Sequence, residues 1–291
     1  MHISTFNIYA DIKKPIRIFH ITALHLTLSD DREDAYCREH AAHRSGMYAV
    51  EGRNPAVESF SELLKYAQDS DLILFTGDMA DFPSKANVDH LKEALKDKSF
   101  IFCHGNHDWN YPREYPFGTS NWDFDQSSLY DDALSKTAHL FYPFTSGSID
   151  VCRVGEIRVI TVNNSNYRFT QRQYERLKGE LSSQIPTIIA FHVPLYAPTL
   201  MPDTLSYWHL PIICGGGDDV HSPYWSYRTD EPTAKACKLI GEHPSIIAVI
   251  TGHLHFDHTD VLPGGNTQYV TALANRGNAA IFNILPSQKS T

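Results

Sequence analysis

Five short stretches of the sequence hold side chains that can do chemistry with a metal ion. Each combines histidine, aspartate or asparagine and follows a short apolar run. In chain order they are Ala23-Leu24-His25, Gly77-Asp78-Met79-Ala80-Asp81, Gly105-Asn106-His107-Asp108, Phe191-His192-Val193-Pro194 and Gly252-His253-Leu254-His255. Carboxylate, imidazole and amide groups are common ligands of metal ions in proteins. The sequence shows no Gly-x-Ser-x-Gly or P-loop signature, so no nucleophilic serine is indicated.

The spacing within the last stretch is compatible with two metal ions. Residues two apart in extended backbone point to one side, about 6.6 Å from each other. His253 and His255 can therefore bind different ions of a pair that lies about 3.5–4 Å apart. The two oxygens of Asp78 can bridge such a pair, and Asn106 offers a neutral carbonyl oxygen. The glycines that precede these ligands permit sharp turns.

Each stretch alone also has a plain structural interpretation. A Gly-Asp pair after a strand is usually a turn, and His192 in an apolar run is more often a hydrogen-bonded core histidine. His253 and His255 alone are as much a surface loop as a metal site. Turn chemistry does not predict that all five arrive at the ends of strand-like segments, where open α/β sheets place their sites. The set therefore favours one shared site.

The elements that must position these residues form a mixed α/β pattern. Buried strands are predicted at Ile16–Thr22, Leu72–Thr76, Ser99–Cys103, Ile157–Val162, Thr187–Phe191 and Ile246–Thr251. Helices are predicted near 55–67, 86–95, 171–181 and 234–240, the third capped by Thr170. Hairpin strands are predicted at Thr259–Leu262, Gln268–Leu273 and Ala280–Leu285. Strands alternating with helices predict layered sheets.

Three long stretches do not fit this scaffold and are interpreted as insertions near the site. They span about 26–53, 109–148 and 194–232, and each begins directly after a strand that ends in metal-type residues. They hold many aromatic residues, which can line a pocket for a planar, sugar or lipid-like group or can simply pack on one another. The residues proposed to contact substrate are Trp109, Trp208, Tyr224 and Arg228.

Composition excludes several classes of protein. The chain has 291 residues, 42% hydrophobic and 20% charged, as is typical of a soluble globular protein. A net charge of −9 argues against a nucleic-acid partner but allows a small anionic substrate held by metal. The apolar runs are too short to span a membrane. Five widely spaced cysteines without a CxxC pair, and an N-terminus without a signal sequence, predict a reduced, cytoplasmic protein.

Together the five stretches resemble the calcineurin-like metallophosphoesterases. The family pattern is D-x-H, GDxxD, GNH(D/E), a lone histidine and GHxH, and the resemblance covers roughly 16–285. It implies an α/β fold in one domain over 1–291, with layered central β-sheets (a β-sandwich) flanked by helices. The metal site would lie at the carboxyl ends of strands. It also implies two divalent or mixed-valence ions, of manganese, iron or zinc, and a bridging hydroxide that attacks phosphorus.

The resemblance assigns roles to individual residues. One ion would bind His25, Asp78 and His255, and the other would bind Asp78, Asn106, His192 and His253. His107 would be the general acid, oriented by Asp108, and Asp81 would support the turn behind the ligands.

Ala23 is the one departure, because it stands where the family has its leading aspartate. A methyl group cannot coordinate, so one anionic ligand of the first site is missing. The survival of every other ligand favours an engineered, inactivated Asp-to-Ala variant over a natural, degenerate binding protein.

The substrate that the sequence favours is a small or medium organic phosphodiester. Phosphatase activity on a small monoester is the alternative, and a non-catalytic scaffold on the same fold is a further one. The sequence does not indicate an oligomeric state.

Overall fold

The computed structural model describes residues 1–109, 137, 139–216 and 229–287, and it contains two β-sheets packed face to face. The first sheet has the order β1-β11-β2-β3-β4. Its strands are β1 (His2–Ala10), β2 (Ile16–Ile21), β3 (Leu72–Phe75), β4 (Phe100–Phe102) and β11 (Asn278–Pro286). Strands β2, β3 and β4 run parallel, so their carboxyl ends meet at one edge.

The second sheet has the order β5-β6-β7-β8-β10-β9. Its strands are β5 (Ile149–Val154), β6 (Ile157–Val162), β7 (Thr187–Ala190), β8 (Ile246–Thr251), β9 (His258–Val261) and β10 (Thr267–Val270). Strands β6, β7 and β8 are parallel, so the chain segments after β7 and β8 also leave from one edge.

The described part of the chain also contains helices, four of which cover the outer faces of the two sheets. The helices are α1 (Ala35–Met47), α2 (Ala56–Tyr66), α3 (Lys85–Leu95), α4 (Gln171–Leu181), α5 (Leu200–Trp208) and α6 (Glu231–Glu242). Helices α2 and α3 pack on the first sheet, and α4 and α6 pack on the second. Thr170 caps α4 in a capping box with Gln173, as the sequence predicts. No helix in the described ranges has the length and apolar character needed to cross a bilayer.

The core follows from strands that are apolar on both faces. In β2, Ile18 packs between the sheets, and its neighbour Phe19 packs under the helices. Ile188 and Ile250 fill the inner layer from the second sheet. The sequence-based prediction of layered α/β sheets flanked by helices is confirmed.

Four elements were not predicted and one was placed wrongly. The sequence of β1 alternates polar and apolar residues at a sheet edge, so it lacks the apolar run of a buried strand. The helices α1 and α5 lie inside the predicted insertions, and β5 begins just after one. Strands β9 and β10 form the predicted hairpin, but β11 joins the other sheet, between β1 and β2. A 3₁₀ turn at Ala274–Arg276 separates β10 from β11.

Candidate metal centre

The loops that follow β2, β3 and β8 hold their residues in a strained backbone conformation. Nine non-glycine residues in the described part have positive φ, and five of them lie in these loops. The five are Ala23 (52°), His25 (50°), Asp78 (53°), His253 (69°) and His255 (64°). A left-handed conformation costs an L-residue on the order of 1–2 kcal/mol, and such strain concentrates at functional sites. The backbone conformation alone therefore indicates a functional site at this edge of the sheets.

Gly105 lies in the loop after β4 and allows that loop to touch the Asp78 loop after β3. A Cβ atom there would lie 2.4 Å from the Asp78 amide nitrogen and 2.1 Å from its Oδ1. The Asp78 loop is joined in turn to the loop after β2 by backbone hydrogen bonds, from the His25 amide to the Asp78 carbonyl (2.9 Å) and from the Ala23 amide to the Gly77 carbonyl (3.0 Å). The predicted need for glycine before a ligand thus has a steric cause at this position.

One group of side chains gathers around His192. Its Nε2 lies 3.1 Å from Asp78 Oδ2, 3.1 Å from Asn106 Oδ1 and 3.0 Å from His253 Nδ1. The donors of an octahedral ion at about 2.1 Å lie about 3.0 Å apart. The three distances from His192 Nε2 therefore match those between neighbouring ligands of one metal ion.

The hydrogen bonds behind this group point the lone pairs inward. His192 Nδ1 lies 2.6 Å from the carbonyl oxygen of Thr76, which can only accept, so Nδ1 carries the proton. In the neutral ring, Nε2 is then an acceptor that faces other acceptors. Such an arrangement needs positive charge in its centre, which a metal ion supplies. The residues present therefore fit a cation at this position.

A second group shares Asp78 with the first. His25 Nε2 lies 3.1 Å from His255 Nε2 and 3.8 Å from Asp78 Oδ2, and the three ligand atoms lie within 4.8 Å of one another. His25 Nδ1 lies 2.9 Å from Asp81 Oδ1, which fixes the proton on Nδ1 and leaves Nε2 to coordinate. Ala23 contributes only a buried methyl group. This group fits a cation with three protein ligands and one negative charge, which the first group shares.

The carboxylates of Asp78 and Asp81 are both held ionised. Burial would raise the pKa of Asp78, but His192, His107 and His25 outweigh it and keep that pKa well below its usual value. Burial would also raise the pKa of Asp81, but Arg44, His107 and His25 keep it well below its usual value. An ionised bridging carboxylate is what a pair of cations requires.

The predicted catalytic residues lie beside these groups. His107 Nδ1 lies 3.1 Å from both the carbonyl and the carboxylate of Asp81. The orienting role predicted for Asp108 needs correction, because its carboxylate accepts from the amides of Asp78 (2.8 Å), Ala80 (2.9 Å) and Gly105 (2.8 Å). Asp108 fixes the backbone of the ligand loops, and Asp81 contacts the His107 ring.

The residues proposed to contact substrate have different outcomes. Trp109 is 1% exposed and its indole donates to Ser165 (3.1 Å), so it packs inside the protein instead of lining an open pocket. Trp208 is half-buried, and its ring lies 5.2 Å from the ring of His255. Tyr224 and Arg228 lie outside the described residues.

Several residues that support the ligands were missed from the sequence. The Tyr167 hydroxyl lies 2.8 Å from His253 Nε2. Arg44 and Tyr48, from the first insertion, both reach Asp81. His192 also contacts the backbone carbonyl of Thr76, and no side-chain pattern in the sequence indicates that contact. The other contacts join segments far apart in the chain, so no local motif announces them.

The family of the chain is shown by comparison with known proteins. Residues 16–257 match the calcineurin-like phosphoesterase family. This chain belongs to that family. The resemblance stated from the sequence is confirmed, and the calcineurin-like phosphoesterase is a hydrolase that acts on phosphoester bonds. The family and the two residue groups indicate a dinuclear metal site. No curated protein matches the sequence.

Two solved structures have a similar fold. One is a dimetal phosphatase from Danio rerio, with a TM-score of 0.54, 10% sequence identity and 91% of each chain covered. The other is a purple acid phosphatase from yellow lupin seeds (Lupinus luteus), with a TM-score of 0.51 and 14% identity. The match covers 95% of this chain and 47% of the lupin chain. At these identities the likeness shows the fold alone.

Proposed function

We propose that this calcineurin-like phosphoesterase is a phosphodiesterase for a small or medium organic phosphodiester. The observation that carries this proposal is the position of Arg44. Its guanidinium binds Asp81 through Nε (2.5 Å) and a terminal nitrogen (2.7 Å), so its charge is committed to the protein. A phosphomonoester carries about −1.5 to −2 charges at neutral pH, and a diester carries one. Arg44 is bound to Asp81 and does not neutralise a second phosphate charge, which favours the singly charged diester.

The metal ions supply part of the chemistry in this proposal. When bound at these two groups, divalent cations would polarise phosphoryl oxygens and lower the pKa of a coordinated water. Asp78 belongs to both ligand groups and would bind both cations. His107 holds its Nδ1 proton against Asp81, so Nε2 is the ring atom assigned to protonate the leaving oxygen. Burial lowers the pKa of His107, but Asp78 and Asp81 outweigh it and raise that pKa, which keeps the proton available.

Ala23 is proposed to impair this activity. Removal of residues behind a ligand already costs about 10–100-fold in affinity or activity, and Ala23 removes a direct ligand. The retention of every other ligand supports an inactivated Asp-to-Ala variant. The chain is further proposed to act as one domain, with the three insertions around its site. The proposed cytoplasmic location is supported by Cys103, Cys152, Cys214 and Cys237, which form no disulfide bond.

Paired substrates test the diesterase proposal. The Ala23→Asp protein, loaded with manganese or zinc, would be assayed with bis(4-nitrophenyl) phosphate and 4-nitrophenyl phosphate, which share one leaving group. We expect kcat/KM to be at least tenfold higher for the diester. A higher value for the monoester would make the chain a phosphatase. If the Ala23→Asp protein bound no metal, the scaffold alternative would replace both.

A further inference from the structure

Asp81 is the most heavily bonded side chain near the metal centre. It is fully buried, and its Oδ1 lies 2.9 Å from His25 Nδ1, 3.1 Å from His107 Nδ1 and 3.2 Å from the Tyr48 hydroxyl. A single carboxylate thus contacts both a proposed metal ligand and the proposed general acid. Whatever fixes the plane of this carboxylate also fixes the two imidazole rings.

Arg44 is the residue that fixes that plane. It binds both oxygens of Asp81 through two nitrogens, the fork geometry that only arginine offers. Its permanent charge also compensates a carboxylate that would be costly to bury alone. The side chain of Arg44 is 12% exposed, so little of it faces solvent.

Tyr48 completes the arrangement from the end of the same helix. It is the C-cap of α1, and its hydroxyl accepts from Arg44 at 3.0 Å. Its ring stacks on the ring of His25, with centroids 4.8 Å apart and planes 22° apart. The guanidinium carbon of Arg44 lies 5.3 Å from the centre of that ring. Two residues of α1 therefore enclose one face of the centre.

We propose that Arg44 and Tyr48 are positioning residues that act through Asp81 to hold His25 and His107 in the orientation the site requires. The inference rests on the proposed function, and it assigns a role to the first insertion. Helix α1 is then part of the site, held in place by Cys37 and Ala41, which pack with Phe82. Removal of Arg44 should weaken the metal group that contains His25 and should spare the group that contains Asn106.

A cobalt titration followed by visible absorption tests this role without turnover. His25→Gln identifies which binding step belongs to the His25 group. In Arg44→Met we expect the affinity of that step to fall about 10–100-fold, with the other step unchanged. Arg44→Lys keeps the charge and loses the fork, so we expect a smaller loss of about tenfold. It provides the same test if Arg44→Met does not fold.

A double-mutant cycle shows whether Arg44 acts through Asp81. In an Asp81→Asn background, Arg44→Met should have little further effect on the His25 step. Arg38→Met, an exposed arginine on the same helix, should change neither step. Unchanged affinity in a folded Arg44 variant, or an equal loss with and without Asp81, would overturn the inference. Hydrolysis is assayed separately in the Ala23→Asp protein, where its absence would count against the proposed function and would leave the cobalt result standing.

Discussion

The hydroxyl of Tyr167 lies 2.8 Å from Nε2 of His253, on the side of the ring opposite to the proposed metal position. The pair is buried, and the rings meet edge to face with centroids 5.3 Å apart. When the Nε2 proton is donated to the phenol oxygen, Nδ1 presents its lone pair to the group around His192. Tyr167 therefore holds the His253 ring in the orientation that turns Nδ1 towards the group around His192.

Tyr167→Phe should weaken metal binding without loss of the fold. We expect the affinity of the group around His192 for zinc to fall about tenfold, because His253 can then present the wrong nitrogen. Isothermal titration with zinc measures this, and Tyr142→Phe, at a position 63% exposed, serves as the control. Equal zinc affinity in Tyr167→Phe and the parent protein would contradict the proposed role.

Gly105→Ala should damage the site more than the rest of the protein. The added methyl group would collide with the backbone and the carboxylate of Asp78, so one of the two loops must move. We expect a loss of about 1–3 kcal/mol in the free energy of unfolding, together with loss of bound metal. Thermal unfolding and elemental analysis measure the two effects.

Gly179→Ala provides the matched control for that substitution. Nothing lies within 4 Å of the added atom, and the residue is inside helix α4. This change should raise stability by about 0.4–1 kcal/mol and leave metal content unchanged. A Gly105→Ala protein that retained its metal and its stability would show that the close approach of the loops is dispensable.

The parts of the fold and of the site that the sequence predicts are those set by local residue patterns. Strands such as β3 and β8 are continuous apolar runs, and the ligands follow them directly, so both were predicted. Arg44 was not, because its contact with Asp81 joins an insertion to the scaffold. The sheet that β11 joins was not predicted either, because that also depends on contacts between distant segments. Ala280–Leu285 is an apolar run that fits either sheet, and only its pairing with β1 and β2 decides.

Ala23→Asp should restore the missing ligand. The position already has a φ of 52°, a conformation in which aspartate and asparagine are enriched. We expect the metal content to rise towards two equivalents and phosphoester turnover to rise with it, both relative to the parent chain. Ala23→Asn separates the effect of shape from that of charge, and it should restore less of either. Two bound equivalents without any hydrolysis would contradict the enzymatic function.

Stability should fall in mild acid because of His20. Its ring is buried between Thr271 (2.8 Å) and Thr76 (2.7 Å), and burial lowers its pKa from 6.5 to about 3. Between these two values the unfolded chain binds a proton that the folded chain does not. Stability from this residue is therefore complete above pH 6.5 and is lost as the pH falls, by about 1.4 kcal/mol per pH unit.

His20→Gln removes the titrating group while keeping a polar side chain, so it isolates this contribution. Urea unfolding of both proteins at pH 7, 6, 5 and 4.5 gives the difference in their free energies of unfolding. That difference should favour the parent protein at pH 7 and should shrink as the pH falls, because only the parent loses the contribution of His20. Other histidines such as His104 titrate in both proteins, so their contributions cancel in the difference. A difference that stays constant with pH would mean that the pKa of His20 is the same in the folded and the unfolded protein.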